Sequence, residues 1–143
     1  MVAAAIAPFP QFTLIDNELQ SKDPCYTVDT LRSLIELDGD RKVHYFLLLG
    51  EDAALSLPKW KEAEVLIKLA PPLVGSRTSS KFSAEKGLPP LFAKAIHKGW
   101  TAIPRLEISS SWIRKRVGEK KSASYLVPGK VWDQIQDRQL YIS

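Results

Sequence analysis

The run Val43-His44-Tyr45-Phe46-Leu47-Leu48-Leu49, closed by Gly50, constrains the fold of this chain more than any other stretch. Near-continuous apolar character over strand length suits a strand buried on both faces, and such strands occur in parallel sheets covered by helices. The run is therefore predicted to be the central parallel strand of an α/β sheet. Open parallel sheets bind ligands beyond the carboxyl ends of their strands, which is where Gly50-Glu51-Asp52 stands. Two roles are open to Asp52: accepting from ribose or nucleobase donors, or capping a short helix over 53–57.

The flanking segments alternate in the same sense. Residues 2–7 read as the last turns of a buried helix, ended by Pro8 and Pro10. Phe12-Thr13-Leu14-Ile15 is a short strand candidate, followed by a polar connection over 16–22. Thr27 is placed to cap a helix whose Val28, Leu31, Leu34 and Ile35 share a face, with Asp38-Gly39 as its stop. Pro58 suits the first position of a further helix with the stripe Trp60, Ala63, Val65, Leu66 and Leu69. Trp60 at that helix's start is either a core residue or a plate on which a flat ring stacks. Leu73-Val74-Gly75 is the next strand, with Arg77 just beyond its end. A polar surface loop is expected over 78–90, then a helix over 91–96 stopped by Gly99 and a strand Trp100-Thr101-Ala102-Ile103. A last amphipathic helix is predicted from about Pro128 to Gln139, presenting Val131, Trp132 and Ile135. Strand and helix in alternation point to a doubly wound, mostly parallel sheet flanked by helices. With 143 residues, a single domain over 1–143 is expected.

The segment Ile108-Ser109-Ser110-Ser111-Trp112-Ile113-Arg114 carries the clearest chemical signal. Serines at a helix start accept from the first free backbone N–H groups and fix the boundary. The remaining N–H groups and the helix dipole favour an anion, and Arg114, one turn in, can bring its planar fork onto the same anion. A phosphate grip and a plain serine cap both fit this pattern. The basic residues that follow, Arg114-Lys115-Arg116 and Lys120-Lys121, fit either a phosphate site or the solvated face of a helix.

Cys25 has no second cysteine to pair with, and with His44 and His97 as the two histidines no zinc-type cluster is visible. A reducing, cytoplasmic setting is expected. The apolar start lacks a basic n-region and is cut by prolines, so neither a signal peptide nor a membrane span is expected from it. A net charge of +4 suits an anionic ligand but is small for a nucleic-acid binder, and no interleaved basic and aromatic surface pattern supports one. His97, near the end of the 91–96 helix, is expected at the surface.

Taken together, these segments resemble the bacterial nicotinate mononucleotide adenylyltransferase family. Tyr26-Thr27-Val28-Asp29-Thr30-Leu31 is similar to the family's YTxDTL, and Gly50-Glu51-Asp52 with Trp60 to its GxD…W element. Ile108 to Arg114 resembles ISSTxIR, with Ser111 in place of threonine, while Tyr125-Leu126-Val127-Pro128 and Leu140-Tyr141 resemble the C-terminal helix and tail. The serine motif alone is shared with other nucleotidyltransferases; the spaced YTxDTL and GxD…W select this family.

The resemblance implies a Rossmann-like nucleotidyltransferase fold that transfers the adenylyl group of ATP to nicotinate mononucleotide, releasing pyrophosphate, with Mg²⁺ accompanying ATP. It implies that Tyr26, Thr27 and Trp60 hold the nicotinate ring, that Asp52 sits near the sugars and Arg77 near the mononucleotide. Gly50, Asp52, Ser110, Ser111 and Arg114 would serve ATP. No nucleic-acid or membrane partner is implied, and a homo-oligomer is compatible with it. The chain departs from the family at one decisive place: it contains no GxFDPxHxGH, the first-strand signature whose two histidines contact the triphosphate. Its start resembles the helix shortly before YTxDTL, so the fold is expected to be N-terminally incomplete. No catalytic residue is assigned, and this chain alone is expected to be inactive or impaired. The alternative is a truncated, non-catalytic remnant that binds nucleotide weakly. Two smaller departures are Gly75-Ser76-Arg77-Thr78, where the family has proline after the arginine, and Lys61, which stands where an aromatic often follows the tryptophan.

Overall fold

The computed structural model describes residues 1–20, 24–77 and 87–142. They form two compact units, one of Asn17–Arg105 and one of Met1–Asp16 with Leu106–Ser143.

In the first unit, α2 (Asn17–Gln20) and α3 (Thr27–Asp38) precede strand β1 (Leu47–Gly50). Helix α4 (Glu51–Ser56), a 3₁₀ turn (Leu57–Lys59) and α5 (Ala63–Leu69) lead to β2 (Pro72–Ser76). Helix α6 (Pro90–Lys98) then crosses to β3 (Trp100–Ala102). The three strands are parallel in the order β1-β2-β3, with Leu47 opposite Pro72 and Gly50 opposite Gly75, then Val74 opposite Trp100. The alternation read from the sequence is thus an α/β, Rossmann-like arrangement. Parallel strands need a crossover between them, and the helical segments supply it.

The core of this unit is formed by Val28 and Leu31 of α3, Leu49 of β1, Val74 of β2, Leu66 and Ile67 of α5, and Phe92 and Ile96 of α6. Val28 and Leu31 are buried as their spacing required, and Leu34 and Ile35 half-buried. At Gly39 the backbone takes φ 55°, a left-handed value that costs glycine little and ends α3.

Several boundaries differ from the sequence reading. The run at 43–49 is not a central strand buried on both faces. Strand character begins at Leu47, and β1 lies at an edge of the described sheet. Leu49 is buried while Leu48 is 79% exposed, the period-two pattern of a strand covered on one face. The preceding residues serve the return from α3 instead: the Tyr45 hydroxyl donates to the Asp38 carboxylate, and Arg41 donates to the Asp38 carbonyl.

Thr27 does not cap α3. Tyr26 is the N-cap, with no side-chain cap bond, and Thr27 is the first helical residue. Pro58 does not open a long helix either. The 53–57 helix starts two residues earlier, at Glu51, and the chain then passes through the 3₁₀ turn and an extended Trp60 before α5 starts at Ala63. The buried face of α5 is Ala63, Leu66 and Ile67, whereas Val65 and Leu69 are partly open to solvent. The expected loop over 78–90 falls largely on residues 78–86, outside the described residues.

In the second unit, α1 (Val2–Ile6), α7 (Ser110–Gly118), a 3₁₀ turn (Ser124–Leu126) and α8 (Gly129–Asp137) enclose Val117, Ala123, Val131 and Ile135. Ala4 and Ala5 pack against this cluster, but α1 has no fully buried residue, unlike the buried helix end expected there. The strand expected at 12–15 is absent: these residues are exposed and unpaired with any strand. Four residues without a partner strand cannot satisfy their backbone in a ladder. Among the described residues, no helix is long and apolar enough to cross a membrane.

Candidate functional site

The carboxyl ends of β1 and β2 open a crevice of about 310 Å³ lined by Gly50, Glu51, Asp52, Ala53, Gly75 and Arg77. Register places it there: Gly50 lies opposite Gly75, and the space beside Gly50 is open because nothing lies within 4 Å of an added Cβ, whereas a Cβ at Gly75 would press on Ile103. Gly50 also serves as N-cap of α4, which puts Glu51 and Asp52 in the first turn beside the opening. Asp52 therefore does not cap the helix, and its carboxylate is exposed at the rim. Arg77 follows β2 directly and is exposed on the other strand's side of the crevice. Among the described residues neither Asp52 nor Arg77 has a side-chain ion pair, so one acceptor and one fixed cation remain available to a polar anionic ligand.

Tyr26 and Trp60 stand apart from that crevice. Tyr26, at the start of α3, lines a shallower hollow of about 230 Å³ with Glu18, Cys25, Asp29, Thr30 and Ser33. Trp60 is half-buried against the main core, and its Nε1 donates to Ser56 Oγ at 3.2 Å. The indole is thus fixed by a hydrogen bond on one edge while part of its surface stays accessible, so the structure shows the core role and leaves room for a stacked ring. Thr27 is half-buried in the first turn of α3 and lines neither cavity.

A group of charges that sequence spacing did not show joins Tyr26 and α3 to the segment that follows Trp60. Lys61 Nζ lies 4.5 Å from the centroid of the Tyr26 ring and 2.8 Å from Asp29 Oδ2. Arg32 donates to both oxygens of Glu62. The hydrogen bond from Arg32 lowers the Glu62 pKa below the ordinary carboxylate value, and the bond to Asp29 raises that of Lys61. Asp29 and Arg32 at i and i+3 were the available sequence signal; their partners 30 and 32 positions away were not readable from spacing.

In the second unit, Ser109 is the N-cap of α7 and its Oγ accepts from the Trp112 backbone N–H at 3.2 Å. Ser110 and Ser111 occupy the first turn with their side chains exposed, and Arg114 Nη2 donates to Ser111 Oγ at 3.4 Å. The motif thus divides: Ser109 does the capping, and Ser110, Ser111 and Arg114 are left facing solvent at the positive end of a nine-residue helix. Arg116 is used internally, its guanidinium lying 5.4 Å from the Trp112 ring and 5.6 Å from the Tyr125 ring while donating to the Ser122 carbonyl. A cleft of about 320 Å³ in this unit is lined by Val117, Trp132 and the basic residues Lys120 and Lys121 among others, and by none of Ser110, Ser111 and Arg114.

No protein-family model matches the chain. It is, however, 34% identical over 143 residues to a probable nicotinate-nucleotide adenylyltransferase of Synechococcus sp. (strain JA-3-3Ab), covering 99% of this chain and 68% of that protein. A protein of the same description from Dehalococcoides mccartyi (strain CBDB1) is 33% identical, with 99% and 69% covered. The nicotinate-nucleotide adenylyltransferase of Bacillus subtilis (strain 168) is 32% identical, with 100% and 69% covered. The chain belongs to the nicotinate-nucleotide adenylyltransferase family. Membership agrees with the resemblance drawn from the spaced motifs and with the parallel sheet, and it makes the chain a relative of nucleotidyltransferases. These alignments extend over about two thirds of the relatives' length.

Proposed function

We propose that this protein transfers the adenylyl group of ATP to nicotinate mononucleotide, giving nicotinate adenine dinucleotide and pyrophosphate, as a step of NAD biosynthesis. The kinship over 99% of the chain carries the reading, and the crevice at the strand ends, with Asp52 and Arg77 on its rim, supports it. Both units are assigned to one nucleotidyltransferase domain.

In this reading Trp60 stacks on the nicotinate ring, Tyr26 and Thr27 contact it, and Arg77 attracts the mononucleotide phosphate. Asp52 accepts from sugar hydroxyls. Gly50 allows close approach of a nucleotide to the backbone. Ser110, Ser111 and Arg114 hold ATP phosphates through hydroxyls, helix-start N–H groups and a guanidinium. A mononucleotide phosphate oxygen attacks the α-phosphorus as the bond to the pyrophosphate oxygen breaks, and the departing charge is spread over the pyrophosphate. The protein's share is positioning and charge neutralisation.

Mg²⁺ is expected to enter as part of the ATP substrate, held chiefly by phosphate oxygens. Among the described residues there is no group of three His, Cys, Asp or Glu that could hold a metal, so no resident metal site is assigned.

Calorimetric titration of the 143-residue chain with nicotinate mononucleotide and with MgATP, followed by a pyrophosphate-release assay, tests the proposal. Micromolar to millimolar binding of the mononucleotide is the expected result. Because this sequence has no GxFDPxHxGH, release of pyrophosphate is expected to be slow. Binding without any release favours the non-catalytic reading, and failure to bind either nucleotide overturns both.

A further inference from the structure

Lys61 follows the extended Trp60 in the turn before α5, and its ammonium sits over the face of the Tyr26 ring. A positive charge is thereby held against Tyr26, one of the two aromatic residues assigned to the pyridine ring, and one position along the chain from the other, Trp60. The side chain is 42% exposed, so an incoming group can reach it. Lys61 makes a single contact to one oxygen of Asp29, at 2.8 Å. The other oxygen of Asp29 lies 3.6 Å from Arg32 Nη1, so Asp29 has a second cation to fall back on. Arg32 is committed through two hydrogen bonds to Glu62 and is not released as easily.

We propose that Lys61 supplies the counter-charge for the carboxylate carried by the pyridine ring, exchanging Asp29 for the ligand, and so sets the preference for a nicotinate ring over a nicotinamide ring. The inference rests on the function proposed above. Exposed single-contact ion pairs contribute little, so the exchange costs little. The ligand carboxylate gains a cation already positioned by the Tyr26 ring face, which holds the ammonium by its quadrupole. A carboxamide at the same ring position carries no charge and gains nothing from Lys61, so the two rings are separated by the one interaction that differs between them. The hydrogen bond to Asp29 raises the Lys61 pKa, and the side chain is cationic throughout the neutral range.

The test compares binding of nicotinate mononucleotide and nicotinamide mononucleotide to the full chain and to its Lys61→Met, Lys61→Arg and Asp29→Asn variants. Lys61→Met is expected to weaken the nicotinate compound about fivefold to tenfold and leave the nicotinamide compound unchanged. Lys61→Arg should restore most of the difference, and Asp29→Asn should tighten the nicotinate compound alone by releasing Lys61. Equal weakening of both compounds in Lys61→Met, or an unchanged ratio, overturns the inference while leaving the proposed function standing. If the unmodified chain binds neither compound, the proposed function fails and the inference fails with it.

Discussion

Arg32 grips Glu62 through two parallel hydrogen bonds, Nη1 to Oε1 at 2.9 Å and Nη2 to Oε2 at 2.6 Å. Glu62 is the N-cap of α5 and stands at φ 47°, a left-handed backbone value that a residue with a Cβ adopts at a cost. The pair joins α3 to the turn that follows Trp60 and Lys61. Planar, two-pronged contact is the geometry in which an exposed ion pair contributes most to order.

Acid should weaken this clamp. The Glu62 carboxyl titrates below its ordinary value in the folded chain, first because Arg32 donates to it. A group with a depressed folded pKa contributes stability that is present above the unfolded pKa and lost as pH falls through the folded one. The unmodified protein should therefore exceed Glu62→Gln in urea midpoint at neutral pH. That difference should shrink as the pH falls below about 4. A constant difference across the range would assign the effect to the backbone turn and not to the charge.

Gly99 is the position least tolerant of a side chain. A Cβ there would fall 1.8 Å from the Pro72 carbonyl oxygen, and the clash is with backbone. The Gly99 carbonyl also accepts from the Val74 N–H at 2.8 Å, at the start of the β2–β3 pairing. Gly99→Ala is expected to destabilise the chain by about 3 kcal/mol, read as a lower urea midpoint with the slope unchanged. Gly129→Ala is the control, because nothing lies within 4 Å of its added Cβ.

The serines of the α7 motif should separate by role. Removing the hydroxyl of Ser109 costs the cap bond to Trp112, about 1 kcal/mol. Ser110 and Ser111 make no cap bond, so Ser110→Ala and Ser111→Ala should leave thermal stability within about 0.5 kcal/mol. If they hold ATP phosphates, both should still weaken ATP binding several-fold. The paired measurement is a thermal melt and an ATP titration on each variant. Loss of stability without loss of ATP binding at Ser110 and Ser111 would reduce the motif to a helix start.

The sequence disclosed what depends on local pattern. Val28 and Leu31 are buried because helical spacing puts them on one face, and Gly50 marks a strand end because the apolar run stops there. It misled where two patterns overlap. The 43–49 run looks like one buried strand, but Tyr45 belongs to the contact with Asp38, and Leu48 faces away from the packed helices. Pro58 likewise signalled a helix start correctly, but for a 3₁₀ turn, and the break at Glu62 has no glycine to announce it. The crevice residues Gly50, Asp52 and Arg77 were legible as strand-end positions, and strand register brought them together. The clamp Arg32–Glu62 and the contact of Lys61 with Tyr26 were not legible, since both join segments about 30 residues apart.

Trp60 is the residue at which packing and recognition can be told apart, because its indole packs against the core and keeps part of its surface accessible. The ring packs against the main core, and Nε1 donates to Ser56 Oγ at 3.2 Å. Trp60→Phe keeps an aromatic face but loses the hydrogen bond and some packing, about 1–2 kcal/mol of stability. Trp60→Ala removes both, and a folded chain should remain because the residue is only half-buried. If the ring stacks on nicotinate, Trp60→Ala weakens mononucleotide binding by about tenfold and leaves ATP binding nearly unchanged, while Trp60→Phe weakens the mononucleotide little. Titrations of both nucleotides on both variants read this directly. Equal losses for the two nucleotides would mean that the indole matters through the core alone, and the ring would then have to be held from the Tyr26 side.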